Sequence, residues 1–236
     1  MPLPIDVYLG ALRREGDGLA AAAEGRLDAA VPACPGWDVA ELVWHTGEVH
    51  SFWATIVERG LLEPDVAQAA RPPDAGVIEW YRGQLDRLER VLTEVDPSGP
   101  CWTWAGRRDV AWVQRRMAQE TAVHRCDAEV SPAPIEPTLA VDGVDEFLEF
   151  FVEEVAGLDG MVHLHATDAE GEWLIRLADG GFAVERGHAK GDAAVRGTAS
   201  DLLLLLWRRI GLDAGSFEVF GDAGLAAAFV AASDLE

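Results

Sequence analysis

Positive charge is scarce in this chain. Nineteen Lys and Arg face 41 Asp and Glu, leaving a formal net charge of −22. Nucleic-acid binding needs a basic footprint, so that class of function is excluded. Binding to an anionic membrane surface is excluded on the same ground, and the acidity serves solubility. Long apolar runs are also missing. No stretch reaches the roughly 18 residues of a membrane-spanning helix. The opening Met1-Pro-Leu-Pro-Ile5 lacks a basic segment followed by an apolar one, so no signal peptide is expected. Cysteines are few. Cys34, Cys101 and Cys126 have no metal-ligand spacing and predict free thiols in a reducing cytoplasm rather than a disulfide framework. There is no Ser-His-Asp order, phosphate-binding loop or dinucleotide fingerprint, and there are no internal repeats or low-complexity segments.

What the chain does have is a core. It is 49% hydrophobic, enough to pack one large domain or two smaller ones over 236 residues. Ile5 to Leu27 reads as an amphipathic helix weakened at Gly16 and Gly18. Cys34-Pro-Gly-Trp37 is a turn. Asp38 caps a second helix, with Glu41 completing a capping box, and Gly60 stops it. Leu61 to Ala75 is a Pro-rich connection, and Gly76 to Val95 is a third helix. Asp96 to Arg108 is a loop whose Trp102 and Trp104 either close the bundle end or wall a cleft. Trp112 to Glu129 is a fourth helix, with Asp109 as N-cap.

Three prolines between Ser131 and Thr138 predict a linker, dividing residues 1–130 from 139–236. The second half begins with a helix from Asp142 to Ala156. Short alternating runs follow, at Met161 to Thr167, Glu172 to Leu177, Phe182 to Arg186 and Ala193 to Arg196. They predict an antiparallel sheet, with Gly180-Gly181 as a hairpin turn. An apolar helix over Leu202 to Trp207 is capped by Thr198. A strand over Phe217 to Phe220 and a helix over Ala223 to Ala232 close the chain. The fold class is α+β: a helical bundle followed by a small α+β domain.

The chemistry centres on the fourth helix. Glu120 and His124 are four residues apart, which puts a carboxylate and an imidazole on one face. Such a pair is more often a surface pair than a metal site. His45, in the second helix, is available as a third ligand, though a lone His after Trp is more often a core or capping residue. His, Glu and His with a position left open is the composition of a catalytic rather than a structural zinc site. Glu41 or Glu48 can orient the His45 imidazole, or both are solvated acids. His50 points about 140° away from His45 around the helix and is not expected to be a ligand. His163 and His165 share a strand face, and a sheet-surface pair is the preferred reading over a metal pair.

Two segments together resemble the mycothiol-dependent maleylpyruvate isomerase family. Val31-Pro-Ala-Cys-Pro-Gly-Trp-Asp-Val-Ala-Glu-Leu-Val-Trp-His45 is similar to that family's opening motif. Arg115-Arg-Met-Ala-Gln-Glu-Thr-Ala-Val-His-Arg-Cys-Asp127 is similar to its RRMxxExxxHRxD helix. Val195 to Trp207 resembles a run in its C-terminal domain. The resemblance spans nearly the whole chain in the family's order. It implies a DinB-like four-helix bundle followed by a sterol-carrier-like domain that helps to close the pocket. It also implies metal ligands at His45, Glu120 and His124. Gln119 stands where many members have His, and Cys126 where many have Trp, near the face that shapes the pocket. Both departures bear on substrate identity.

The implied activity is cis-trans isomerisation of a small dicarboxylate such as maleylpyruvate, by addition of a mycothiol thiolate. The implied cofactors are a divalent metal and mycothiol as cosubstrate. Zinc is the first choice because His and carboxylate ligands suit it, and nickel, iron or manganese would also fit. Substrate carboxylates and a developing enolate call for arginine. Arg196, Arg107, Arg108 and Arg125 are the candidates. Each taken singly reads first as a surface ion-pairing residue in so acidic a chain. Arg196 is preferred among them as the catalytic arginine because it lies in the family-like segment. The partners expected are small molecules only, for a monomer or homodimer. The alternatives are a mycothiol S-transferase, a metal hydrolase with Glu48 as base, and a non-catalytic metal- or thiol-binding protein.

Overall fold

The computed structural model describes residues 2–106, 109–152, 155–214 and 216–232. It divides into two compact units, 1–133 and 134–236. The first contains helices α1 (Ile5–Ala23), α2 (Val39–Arg59), α3 (Val77–Glu94) and α4 (Val110–Ala128). α1 packs on α4, α4 on α2, α2 on α3 and α3 on α1, closing a four-helix bundle. Its core includes Leu12, Leu19, Leu42, Ile56, Leu85, Leu88 and Leu92, all buried. Burying each of these side chains stabilises the fold by roughly 1.5–3 kcal/mol.

Local signals set the helix ends. The Asp38 carboxylate accepts from Glu41 N at 2.9 Å, and Gly60 ends α2 with φ 57°. The expected capping box is only half formed, because the Glu41 side chain pairs with Arg71 instead. The Asp109 carboxylate caps α4 by accepting from Trp112 N at 2.9 Å. α1 ends at Ala23, four residues short of the expected Leu27, and Gly25 turns the chain with φ 71°. The glycines that weaken α1 in isolation make room for its neighbours. A Cβ at Gly16 would collide with Leu85, and one at Gly18 would crowd Arg125.

α4 is the central helix. Every one of its residues is buried except Ala111 and Glu120. Its charges are compensated from neighbouring segments. The Arg125 Nε donates to Glu15 of α1 at 2.7 Å, and Nη1 reaches Glu129 and the Ala133 carbonyl, each at 2.7 Å. At one end of the bundle Trp102 stacks on Trp53 (centroids 5.8 Å), and Trp104 meets Trp112 edge-on (5.0 Å).

The second unit opens with α5 (Pro137–Phe150). Its start inside the expected linker is explained by Pro137 at the first helical turn, where no N–H is needed. The helix expected over Asp142 to Ala156 therefore begins and ends earlier, and Glu153 and Glu154 lie outside the described residues. Strands β1 (Gly160–Ala166), β2 (Glu172–Ala178), β3 (Gly181–Arg186), β4 (Ala193–Gly197) and β5 (Glu218–Gly221) form one sheet. Their order is β3-β2-β1-β4-β5. The expected antiparallel sheet needs one correction: β1 and β4 pair in parallel, and the other pairs are antiparallel. α6 (Ala199–Leu206) and α7 (Ala223–Ala231) pack on β1 and β4. Val162 and Leu164 of β1 are buried with Trp173 and Ile175 of β2. The alternate residues Met161, His163 and His165 point to the opposite face. No described helix is long and apolar enough to cross a membrane.

Candidate metal centre

α2 and α4 bring His45, Glu120 and His124 together. One ligand atom of each lies within 4.8 Å of the others. Glu120 Oε1 is 3.4 Å from His124 Nε2 and 3.9 Å from His45 Nε2. The two imidazoles meet edge-on, with centroids 5.3 Å apart. Trp37, from the turn before α2, lies against the His45 ring at 4.8 Å. Side-chain exposure falls from 33% at His45 through 22% at Glu120 to 11% at His124. The trio is thus anchored in the bundle on the His124 side and open to solvent on the His45 side.

Three further residues tune the trio. Asp127, one turn beyond His124, places Oδ2 3.0 Å from His124 Nδ1. This hydrogen bond fixes the ring and turns Nε2 towards Glu120. Arg116, one turn before Glu120, donates to its other oxygen at 2.9 Å. Cys34, from the Cys-Pro-Gly-Trp turn, places Sγ 3.9 Å from the same Asp127 oxygen that His124 uses. The His-x-x-Asp spacing was visible in the sequence and points to Asp127. Only the fold brings Cys34 to it.

Burial pushes the Glu120 carboxyl up, but Arg116, His124 and His45 outweigh it and hold the group well below the usual carboxylate range. Burial lowers His124, yet Asp127 and Glu120 outweigh that and raise it to about 9. At neutral pH the ion-free trio is therefore an imidazolium beside a carboxylate. A divalent cation would take the place of that proton. Two imidazoles and one ionised carboxylate, supported from behind and open in front, fit a divalent transition metal. His50 is fully buried and bonds Thr121 Oγ1 through Nε2 at 2.9 Å. Burial above all holds it down at about 3, so it stays neutral.

The other nominated residues lie as follows. Arg125 is buried in its ion pairs. Arg196, on β4, pairs with Glu218 at 2.8 Å. Arg107 and Arg108 lie outside the described residues. Gln119 and Cys126 are both buried. Burial pushes the Cys126 thiol up to about 12, which leaves it protonated and unreactive.

Two family models match. The one described as the mycothiol maleylpyruvate isomerase N-terminal domain covers residues 9–129, and the MDMPI C-terminal domain covers residues 138–228. Among solved structures, the chain is similar to a mycothiol-dependent maleylpyruvate isomerase at 13% identity and TM-score 0.64, over 92% of this chain and 93% of that one. It is also similar to a histidine-to-alanine mutant of such an isomerase, at 11% identity and TM-score 0.62, over 86% and 88%. At these identities the likeness concerns the fold. Comparison with curated proteins gave no match.

Proposed function

The chain belongs to the mycothiol-dependent maleylpyruvate isomerase family, a family of enzymes, and from that premise we propose that it uses a divalent metal and mycothiol to isomerise a small cis-dicarboxylate such as maleylpyruvate. The observation that carries this reading is the convergence of His45, Glu120 and His124 with one side open to solvent. These three residues hold the cation, and zinc suits their imidazole and carboxylate donors. When bound, the cation supplies a positive charge beside which a thiol loses its proton at neutral pH.

The chain's own residues do the rest. Asp127 holds the His124 ring by its Nδ1. Arg116 keeps Glu120 ionised and oriented. Trp37 fences the exposed His45 ring. In the reaction, the mycothiol sulfur adds to one carbon of the cis double bond. The electron pair moves to the conjugated carbonyl oxygen as an enolate. The former double bond rotates, and return of the pair expels the thiolate and leaves the trans isomer. A reducing cytoplasm, where a small thiol is available, suits this chemistry.

We assign the substrate carboxylate to Arg196. Its ion pair with Glu218 is exposed, at 41% and 62% of the two side chains. Such a pair is worth no more than about 1 kcal/mol, so an incoming carboxylate can replace it. Arg196→Gln should raise KM and leave metal content unchanged. An unchanged KM removes Arg196 from the account.

The test of the reaction is a single turnover with equimolar metal-loaded protein, mycothiol and maleylpyruvate. The trans product with mycothiol recovered free is the expected result. Mycothiol retained in a stable adduct would assign the protein to S-transfer instead. No thiol-dependent reaction of either kind would end this reading.

A further inference from the structure

Five of the six histidines fall into two clusters, and the reading above uses only one of them. The second lies wholly within the C-terminal unit. On β1, His163 and His165 share the sheet face opposite α6 and α7. The β1–β2 register sets Glu172 directly across from His165 on that face. After β3, Gly187 adopts φ 135°, a conformation that L side chains rarely take, and donates its N–H to the Glu172 carbonyl at 3.2 Å. The turn carries His188 back over the face. Its Nδ1 comes within 2.7 Å of Glu172 Oε2. His163 Nε2 is 3.2 Å from that same oxygen, and His165 Nδ1 is 3.4 Å from Oε1.

We propose that His163, His165, Glu172 and His188 form a second metal site, which takes a divalent transition cation of the zinc class. One ligand atom from each of the four lies within 4.8 Å of all the others. The edge of a tetrahedral zinc site with nitrogen and oxygen ligands is about 3.3 Å. The contacts to Glu172 already span that value. The three rings stand nearly perpendicular to one another, at 88°, 85° and 88°. Their nitrogens therefore converge from three directions rather than stacking. Three imidazoles and a carboxylate complete a four-coordinate set, the pattern of a structural rather than a catalytic site. Softer thiolate ligands are absent from the set, which favours zinc, copper(II) or nickel(II) over copper(I).

The surroundings suit a cation. His163 is buried and anchors the cluster, while His188 is 79% exposed at the rim. A cavity of about 410 Å3, lined by His165, Glu172 and His188, gives an entry path. Two arginines stand nearby, and each has a carboxylate partner. Arg186 bonds Asp145 at 2.6 Å and lies over the Trp173 ring, and Arg196, across from His165 on β4, bonds Glu218. A cation here ties β1, β2 and the β3–β4 connection together. That connection otherwise holds His188 by a surface hydrogen bond.

The test is zinc titration of the chelator-stripped full chain by calorimetry, with cobalt(II) absorption reporting tetrahedral geometry. The wild type should bind two equivalents. His188→Ala, a change at an exposed loop residue, should bind one equivalent fewer, and so should His165→Ala. Zinc should raise the wild-type Tm by more than it raises that of either variant. If the wild type binds a single equivalent and His188→Ala abolishes it, this site stands and the α2–α4 site fails. If His188→Ala and His165→Ala both bind as many equivalents as the wild type, the second site is overturned.

Discussion

Asp127 Oδ2 lies 3.0 Å from His124 Nδ1, and this contact turns the other ring nitrogen towards Glu120 Oε1, 3.4 Å away. The carboxylate–imidazole pair on α4 is thus oriented before any ion arrives. Asp127→Asn keeps the shape but removes the charge that supports His124. Metal affinity should fall roughly 10- to 100-fold, with the far-ultraviolet circular dichroism unchanged. Competition against a chromophoric chelator measures this. An unchanged affinity would make Asp127 a packing residue only.

Metal binding at this site should release a proton from His124, which sits near 9 in the ion-free chain. Apparent metal affinity should therefore rise about tenfold per pH unit from neutrality towards pH 9 and then level off. A pH series of metal titrations checks this, and a flat profile contradicts it.

Ion-free stability should peak near pH 6.5. His124 is raised from 6.5 to about 9, so its contribution is complete below 6.5 and is lost as pH rises through 9. His50 is lowered from 6.5 to about 3, so stability is lost as pH falls from 6.5 towards 3, where the unfolded chain takes a proton that the folded one refuses. Each histidine contributes a slope of at most about 1.4 kcal/mol per pH unit, and Glu120, held well below the usual carboxylate range, steepens the acid limb further. Urea unfolding across the range, with and without zinc, reads both limbs. Zinc should lift the alkaline limb most.

The α2–α3 contact passes close to the site. A Cβ at Gly47 would come 2.5 Å from the Trp80 ring, two residues from His45. Gly47→Ala should destabilise by about 1–3 kcal/mol through overpacking, despite alanine's better helix propensity. A Tm no lower than wild type would show that Trp80 moves aside freely.

The sequence made His45, Glu120 and His124 legible as candidates because helical spacing and the family-like motifs both point to them. It did not reveal how deeply α4 is buried. Arg115, Arg116 and Arg125 make that helix look solvent-facing, and only the fold brings Glu15 from α1 against Arg125. Cys34 reaches Asp127 across 93 residues of chain, beyond any local pattern. Local alternation foretold the strands of the second unit, but the parallel β1–β4 pairing joins strands that are not consecutive, and alternation carries no such information. His163 and His165 read as a surface pair because their partner His188 depends on a turn at Gly187.

The most direct test of the central claim is the metal content of the purified protein and of His124→Ala by elemental analysis, followed by mycothiol titration of each. The account predicts near-stoichiometric occupancy of the α2–α4 site in the wild type. It also predicts loss of that equivalent in His124→Ala, and mycothiol binding only where the equivalent is present. Equal metal content in both proteins, or mycothiol binding indifferent to the metal, would contradict it.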